Sequence, residues 1–218
     1  MIKAVSFDVD GTLATRRYPD LIWEEAIPTL YSLKKGLSFT EAKSFVTSEY
    51  AKIGDQRVEW YQIQYWFKRF GLNGYNELLD KYVGEISYHA EVTPTLEELC
   101  KKYVLVVISN AAQEFLNRTT KKIKKYFQHI FSASSDFKLT KNDPKVYLKA
   151  CDTLKIKPGE MAHIGDNWIQ DYQIPNQIGV RSFYIDRGGS RTGECIVKDL
   201  NEFCEKLSKI AEYSAPAS

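Results

Sequence analysis

The 218-residue sequence predicts an α/β protein: a parallel sheet flanked by helices, with an α-helical bundle inserted early in the chain. Short β-branched apolar runs alternate with longer helical patterns, the sequence form of βα units around a parallel sheet. One of these runs, Val104-Leu105-Val106-Val107-Ile108, is apolar throughout, which suits a strand in mid-sheet with both faces covered. By contrast, the stretch from about 16 to 91 offers no strand pattern and reads as consecutive helices. A βα core of this kind is Rossmann-like.

The strand runs are Ile2 to Phe7, Val104 to Ile108, Ile130 to Ala133, Met161 to Ile164 and Val180 to Ile185. Four helices are expected in the insert. Ser38-Phe39-Thr40-Glu41 has the capping-box form of a helix start, while Gly54-Asp55 and Gly71-Leu72-Asn73-Gly74 mark breaks. The insert is rich in large aromatics, among them Trp23, Tyr50, Trp60, Trp66 and Phe70, as expected of a small bundle that packs its own core. After Pro94 the βα alternation resumes and runs to a closing amphipathic helix near Leu200 to Ile210. The expected organisation is therefore an α/β core over 1–15 and 92–213, a helical cap over 16–91, and a disordered tail over 214–218. The two crossings, near Ala14 to Tyr18 and His89 to Pro94, would be hinges.

Bulk properties narrow the function classes. Hydrophobic residues at 44% and charged residues at 27% are the balance of an ordinary globular protein. A net charge of +2 gives no broad footprint for nucleic acid, and the cluster Lys121, Lys122, Lys124 and Lys125 reads as a solvated helix face. The cysteines Cys100, Cys151, Cys195 and Cys204 form no CxxC pair, so neither a zinc spacing nor a compact disulfide framework is visible. No apolar stretch approaches the ~20 residues that cross a bilayer, and the first residues carry no leader pattern. A cytoplasmic location is expected, without membrane or nucleic-acid partners, for a monomer or homodimer. There is no G-x-S-x-G elbow and no G-x-x-x-x-G-K-[ST] loop, and His163 lies inside a strand run, where a satisfied core histidine is expected.

In open α/β sheets ligands bind beyond the carboxyl ends of the strands. The first run ends in Asp8-Val9-Asp10-Gly11-Thr12-Leu13, the second in Ser109-Asn110 and the fourth in Gly165-Asp166-Asn167-Trp168-Ile169-Gln170-Asp171. Lys141-Asn142-Asp143-Pro144 follows the third, just before a helix expected near Pro144. All four clusters should converge on one sheet edge. Asp8 and Asp10 lie two positions apart, and two close carboxylates are tolerable beside a hard cation; Asp166 would add a third oxygen ligand, a set suited to Mg2+. A phosphate group is the natural partner of such a site, with Lys141 and the Ser109 hydroxyl holding its other oxygens.

DVDGTL, the Ser109-Asn110 pair, Lys141 with Asp143-Pro144, and GDNWIQD together resemble the four motifs of the haloacid dehalogenase-like superfamily, in order across the whole core. The insert resembles that superfamily's cap of the type following the first motif. The resemblance implies Asp8 as nucleophile, Asp10 as general acid/base, Lys141 as the charge-stabilising cation, and Thr12, Ser109 and Asn110 as phosphate-site residues. It also implies Mg2+ held by Asp8, Asp10 (through its backbone carbonyl) and Asp166, and a small phosphorylated metabolite hydrolysed through an aspartyl-phosphate. The sequence departs from the pattern at Asn142, where many members carry proline, and at Ile174-Pro175, where many carry a small pair; Pro175 implies an altered helix start. Asp171 is either a metal ligand or a residue that orients Lys141.

Three alternatives share these motifs or part of them. A haloacid dehalogenase uses the same aspartate on carbon, without metal, but its halide needs no proton donor, so Asp10 favours phosphate esters. A phosphomutase differs in delivering the phosphoryl group to a hydroxyl. A non-catalytic phosphoacceptor module would need no cap. Selectivity is expected from the cap, with Arg16, Arg17, Arg57 and the aromatics around Trp60 as candidate contacts.

Overall fold

The computed structural model describes residues 1–213; the tail expected over 214–218 lies outside the described residues. The strands are β1 (Ala4–Phe7), β2 (Val104–Ser109), β3 (His129–Ser132), β4 (Met161–Gly165), β5 (Arg181–Ile185) and β6 (Ile196–Val197). They form one sheet in the order β3-β2-β1-β4-β5-β6, with every neighbouring pair parallel. β1 is thus central, paired with β2 on one side and β4 on the other, so Asp8 emerges from the middle of the sheet. The apolar β2 lies inside the sheet, as its composition predicts. β6 is the strand the sequence did not announce: at two residues it is too short to show a period. Each of β1 to β5 differs from its apolar run by one or two residues at an end, and β3 by one residue at both ends.

Side-chain alternation separates the two faces of the sheet. Val5, Phe7, Leu105, Ile164 and Phe183 pack with α6 (Val92–Leu99) and with the closing helix Leu200–Tyr213, through Leu96, Leu200 and Phe203. On the opposite face Val106, Ile108 and Met161 pack with Val146, Tyr147 and Ala150 of the helix Lys145–Leu154.

Between β1 and β2 lie α1 (Arg17–Asp20), a π-helical turn (Leu21–Ala26) and α2 (Ile27–Lys35), which run on as one rod, then α3 (Phe39–Ile53), α4 (Ile63–Phe70) and α5 (Tyr75–Lys81). With the first three segments taken as one rod, these are the four expected helices. α3 starts on the expected capping box: Glu41 N–H donates to Ser38 Oγ at 3.3 Å and Ser38 N–H donates to Glu41 Oε2 at 2.9 Å. α4 buries Ile63, Trp66, Phe67 and Phe70, the spacing of one helical stripe. These residues join Tyr18, Ile22, Val46 and Leu79 in a second apolar cluster, which also takes in Phe115 of α7 (Gln113–Thr119), the helix after β2.

The chain enters and leaves this helical block through two adjacent segments. Ala14 bridges Tyr88, Thr15 N–H donates to Ser87 O at 2.9 Å, and His89 N–H donates to Leu13 O at 3.2 Å.

Trp66 is fully buried at the centre of the helical cluster, and its indole N–H donates to Trp60 O at 3.1 Å. Trp66→Ala should lower the unfolding free energy in urea by about 3–5 kcal/mol; a loss below about 1 kcal/mol would contradict this packing.

Candidate active site

Beyond the carboxyl ends of the strands opens a cavity of about 650 Å³, lined on the sheet side by Asp8, Asp10, Ser109, Asn110, Lys141 and Asp166. Six of the seven residues singled out from the sequence therefore face one space. Thr12 does not: it is buried beneath the loop, its hydroxyl has no protein partner, and its carbonyl accepts from Arg187 Nη2 at 2.8 Å.

The centre is built on Lys141, whose side chain is 2% exposed. Its ammonium donates to Asp8 Oδ1 at 2.6 Å, to Asp171 Oδ1 at 2.6 Å and to Ile108 O at 3.4 Å. All three N–H donors are used. Burial disfavours the ammonium, but the two carboxylates outweigh it and hold the Lys141 pKa well above the ordinary lysine value. The Lys141 backbone is fixed as well, because its N–H donates to Asn110 Oδ1 at 2.8 Å while Asn110 Nδ2 donates to Gln170 Oε1 at 2.8 Å and to the Tyr61 hydroxyl at 3.2 Å.

Asp171 is fully engaged. Its Oδ1 also accepts from His163 Nε2 at 3.0 Å, and its Oδ2 accepts from Asn167 N–H at 2.9 Å. Burial pushes this carboxyl up, but Lys141 and the His163 hydrogen bond hold it below the usual carboxylate range. His163 Nδ1 lies 2.7 Å from Ser6 Oγ, so the histidine is buried and satisfied as expected, and its other partner, Asp171, is a residue of the cavity wall. The helix after β4 explains how Asp171 reaches this position. A π-helical turn, Trp168–Gln173, runs into a short helix, Ile174–Gln177, and Pro175 offers no N–H to the preceding turn. The Tyr147 hydroxyl donates to Gln170 O at 2.6 Å instead. The altered helix predicted from Pro175 is this π-helical start. Gly165 is required here, because a Cβ would overlap the Asp171 side chain.

Asp8 and Asp10 differ in environment. Burial pushes the Asp8 carboxyl up and the Lys141 ammonium opposes it. Asp8 Oδ1 is bound to Lys141, and its Oδ2 is not. Burial pushes Asp10 up to about 6, against the pull of Arg16, and its Oδ1 is buried without a protein hydrogen bond. A carboxyl of that strength suits proton transfer near neutral pH. Gly11, at φ +90°, turns the chain between Asp10 and Thr12, and a Cβ there would run into the Asp166 carboxylate.

Carboxylate oxygens of Asp8, Asp166 and Asp171 lie within 4.8 Å of one another. Both Asp171 oxygens are already engaged, Oδ1 by Lys141 and His163 and Oδ2 by the Asn167 N–H. Asp8 and Asp166 offer hard carboxylate oxygens that fit a small divalent cation. Arg16 donates to Asp166 Oδ2 from Nε at 3.2 Å and from Nη2 at 2.9 Å. The Arg16 side chain is 56% exposed, and so open a pair is worth only about 0–1 kcal/mol, a small opposing term to a divalent ion.

The other arginines stand elsewhere than the sequence suggested. Arg57 does not line the cavity: it pairs with Glu59 at 2.6 Å, because that carboxylate is two residues away and on the same turn. Arg17 pairs with Glu85 at 3.2 Å. Arg187 was not foreseen. It pairs with Glu91 at 2.8 Å and donates to the carbonyls of Gly11 and Thr12, so it clamps the loop after β1. Its position just after β5 was the one available signal. Lys141→Met should lower the unfolding free energy by about 3–5 kcal/mol by leaving Asp8 and Asp171 unpaired; equal stability by urea unfolding would contradict the ion-pair geometry.

The model of the haloacid dehalogenase-like hydrolase family matches residues 2–179. Among curated proteins, the chain is 27% identical over 202 residues to (S)-2-haloacid dehalogenase 4A of Burkholderia cepacia, covering 87% of this chain and 85% of that one. It is 25% identical over 203 residues to glyceraldehyde 3-phosphate phosphatase of Methanopyrus kandleri, covering 86% and 85%. Among solved structures it resembles a HAD phosphatase from Thermococcus onnurineus, with a TM-score of 0.84, 28% identity, and 94% and 98% of the two chains covered. Relatives with both chemistries thus share the fold and most of the chain's length. This protein belongs to the haloacid dehalogenase-like hydrolases.

Proposed function

We propose that the chain is a magnesium-dependent phosphomonoesterase that acts on a small phosphorylated metabolite through an aspartyl-phosphate on Asp8. The observation that carries this reading is Asp10, a second carboxyl on the same cavity with a buried, unpartnered oxygen. An alkoxide leaving from phosphorus needs a proton, whereas a halide leaving from carbon does not. Asp166 adds a carboxylate that displacement at carbon has no use for. Similarity to a dehalogenase and to a phosphatase is comparable in extent, so the support for this reading comes from these two residues.

In the first step Asp8 Oδ2 attacks phosphorus in line, the bond from phosphorus to the ester oxygen breaks, and Asp10 gives its proton to the departing alcohol. Lys141 holds Asp8 Oδ1 so that the free oxygen points into the cavity. The Ser109 hydroxyl accepts from Ala111 N–H at 3.2 Å, which leaves its own proton for a phosphate oxygen. In the second step water attacks the phosphorus of the aspartyl-phosphate, Asp10 takes the water's proton, and the bond to Asp8 breaks. Asp8, Asp166 and the Asp10 carbonyl would hold Mg2+, which supplies charge neutralisation for the phosphoryl oxygens. The helical block acts as a cap that shields these steps from bulk water.

Asp10→Asn should reduce kcat/KM on an alkyl phosphate by about 10²–10⁴-fold and far less on 4-nitrophenyl phosphate, whose phenolate leaves without a proton. Equal losses on both esters would argue against Asp10 as the acid. Chelation with EDTA should abolish phosphate release and added Mg2+ should restore it. Metal-free release of halide from a 2-haloacid would favour dehalogenation instead.

A further inference from the structure

The cavity extends well past the phosphate end. Its volume of about 650 Å³ lies within the 300–1,000 Å³ usual for ligands of drug size, so the alcohol must fill most of it. The part of the wall that comes from the helical block is rich in aromatics, with Trp23, Tyr50, Trp60 and Tyr61. Trp23 is stacked on Phe115 with ring centres 5.4 Å apart and planes at 21°, and Tyr50 stands edge-on to Trp23 at 5.9 Å and to Trp60 at 6.1 Å. These rings belong to or border the buried cluster of the helical block, yet Trp23, Tyr50 and Trp60 are only half-buried, because they line the opening. The π-helical turn Leu21–Ala26 carries Trp23 to this wall, and the turn at Val58–Tyr61 carries Trp60.

The charge on this far wall is one-sided. Asp20, Glu24 and Asp55 line it against a single ammonium, Lys43, which already lies 3.7 Å from Glu24. Arg16, at the boundary, is bound to Asp166. A second phosphate or a carboxylate on the alcohol would face three carboxylates, with Lys43 the one cation among the described lining residues of that wall.

We infer that the alcohol released by this enzyme carries a flat ring and no acidic group: the cavity selects aryl- or heteroaryl-bearing phosphomonoesters over small, aliphatic or acid-bearing ones. This rests on the phosphomonoesterase reading and adds the leaving-group class to it. A ring entering between the half-buried aromatics gains area burial and stacking together. A neutral or cationic substituent on that ring suits the acidic wall, and an anionic one is repelled.

The test compares propyl phosphate with benzyl, 4-(aminomethyl)benzyl and 4-carboxybenzyl phosphates in Mg2+. All four are alkyl esters, so chemical reactivity varies little across the set. Benzyl phosphate should exceed propyl phosphate in kcat/KM by about 30-fold or more, and the carboxybenzyl ester should fall at least about tenfold below the aminomethyl one. In Trp60→Ala the benzyl-to-propyl ratio should drop about tenfold, and Trp60→Phe should restore most of it. Parity of propyl and benzyl phosphates in the unaltered protein, or an equal rate with the carboxybenzyl ester, overturns the inference while leaving the phosphatase reading intact. No turnover of any ester overturns that reading, and this inference with it.

Discussion

Lys141 binds together four parts of the chain that are remote in sequence. Its ammonium reaches Asp8 beyond β1, the Ile108 carbonyl of β2 and Asp171 beyond β4, from a loop that follows β3. A buried ammonium costs several kcal/mol unless paired and fully hydrogen-bonded. The strand ends must therefore keep their register if this charge is to stay compensated. The second layer serves the same end: His163 and the Asn167 N–H fill the remaining lone pairs of Asp171, and Asn110 holds the Lys141 backbone. One cation thus sets the geometry in which one oxygen of Asp8 is bound and the other is free.

The same geometry separates two carboxyls that are two residues apart. Asp8 is tied to Lys141, while Asp10 has a partnerless oxygen and a carboxyl pushed up to about 6 by burial. Such unlike environments suit the two roles proposed for them, one to attack and one to exchange a proton. Gly11 and Gly165 provide the clearance that lets Asp166 and Asp171 close in from β4. The helical block completes the cavity with aromatic and acidic residues, so in the proposed reaction phosphate chemistry and alcohol recognition would sit on different elements.

Much of this was legible in the sequence because it rests on local pattern. β-branched runs marked the five longer strands, and Ser38 with Glu41 marked the start of α3. Asp8, Asp10, Ser109, Asn110, Lys141 and Asp166 were found because ligands gather at strand ends. What could not be read depended on pairings across the fold. β6 has only two residues and exists because β5 offers an edge. Arg187 clamps Gly11 and Thr12 from 175 residues away, and no local pattern announces such a contact. Arg57 looked like a substrate contact by charge alone, yet Glu59 on the same turn claims it. Asp171 had two readings in sequence, and its hydrogen bonds to Lys141 and His163 are cross-fold pairings that no local pattern announces.

The central claim is that Asp8 carries the phosphoryl group between the two steps. Rapid acid quench of the enzyme turning over benzyl phosphate with Mg2+, followed by mass spectrometry of the peptide bearing Asp8, tests it directly. The account predicts one phosphoryl group on Asp8 that forms within a turnover and is lost on chase with water. Steady phosphate release with no phosphoryl group on that peptide, or with one on another residue, would contradict it.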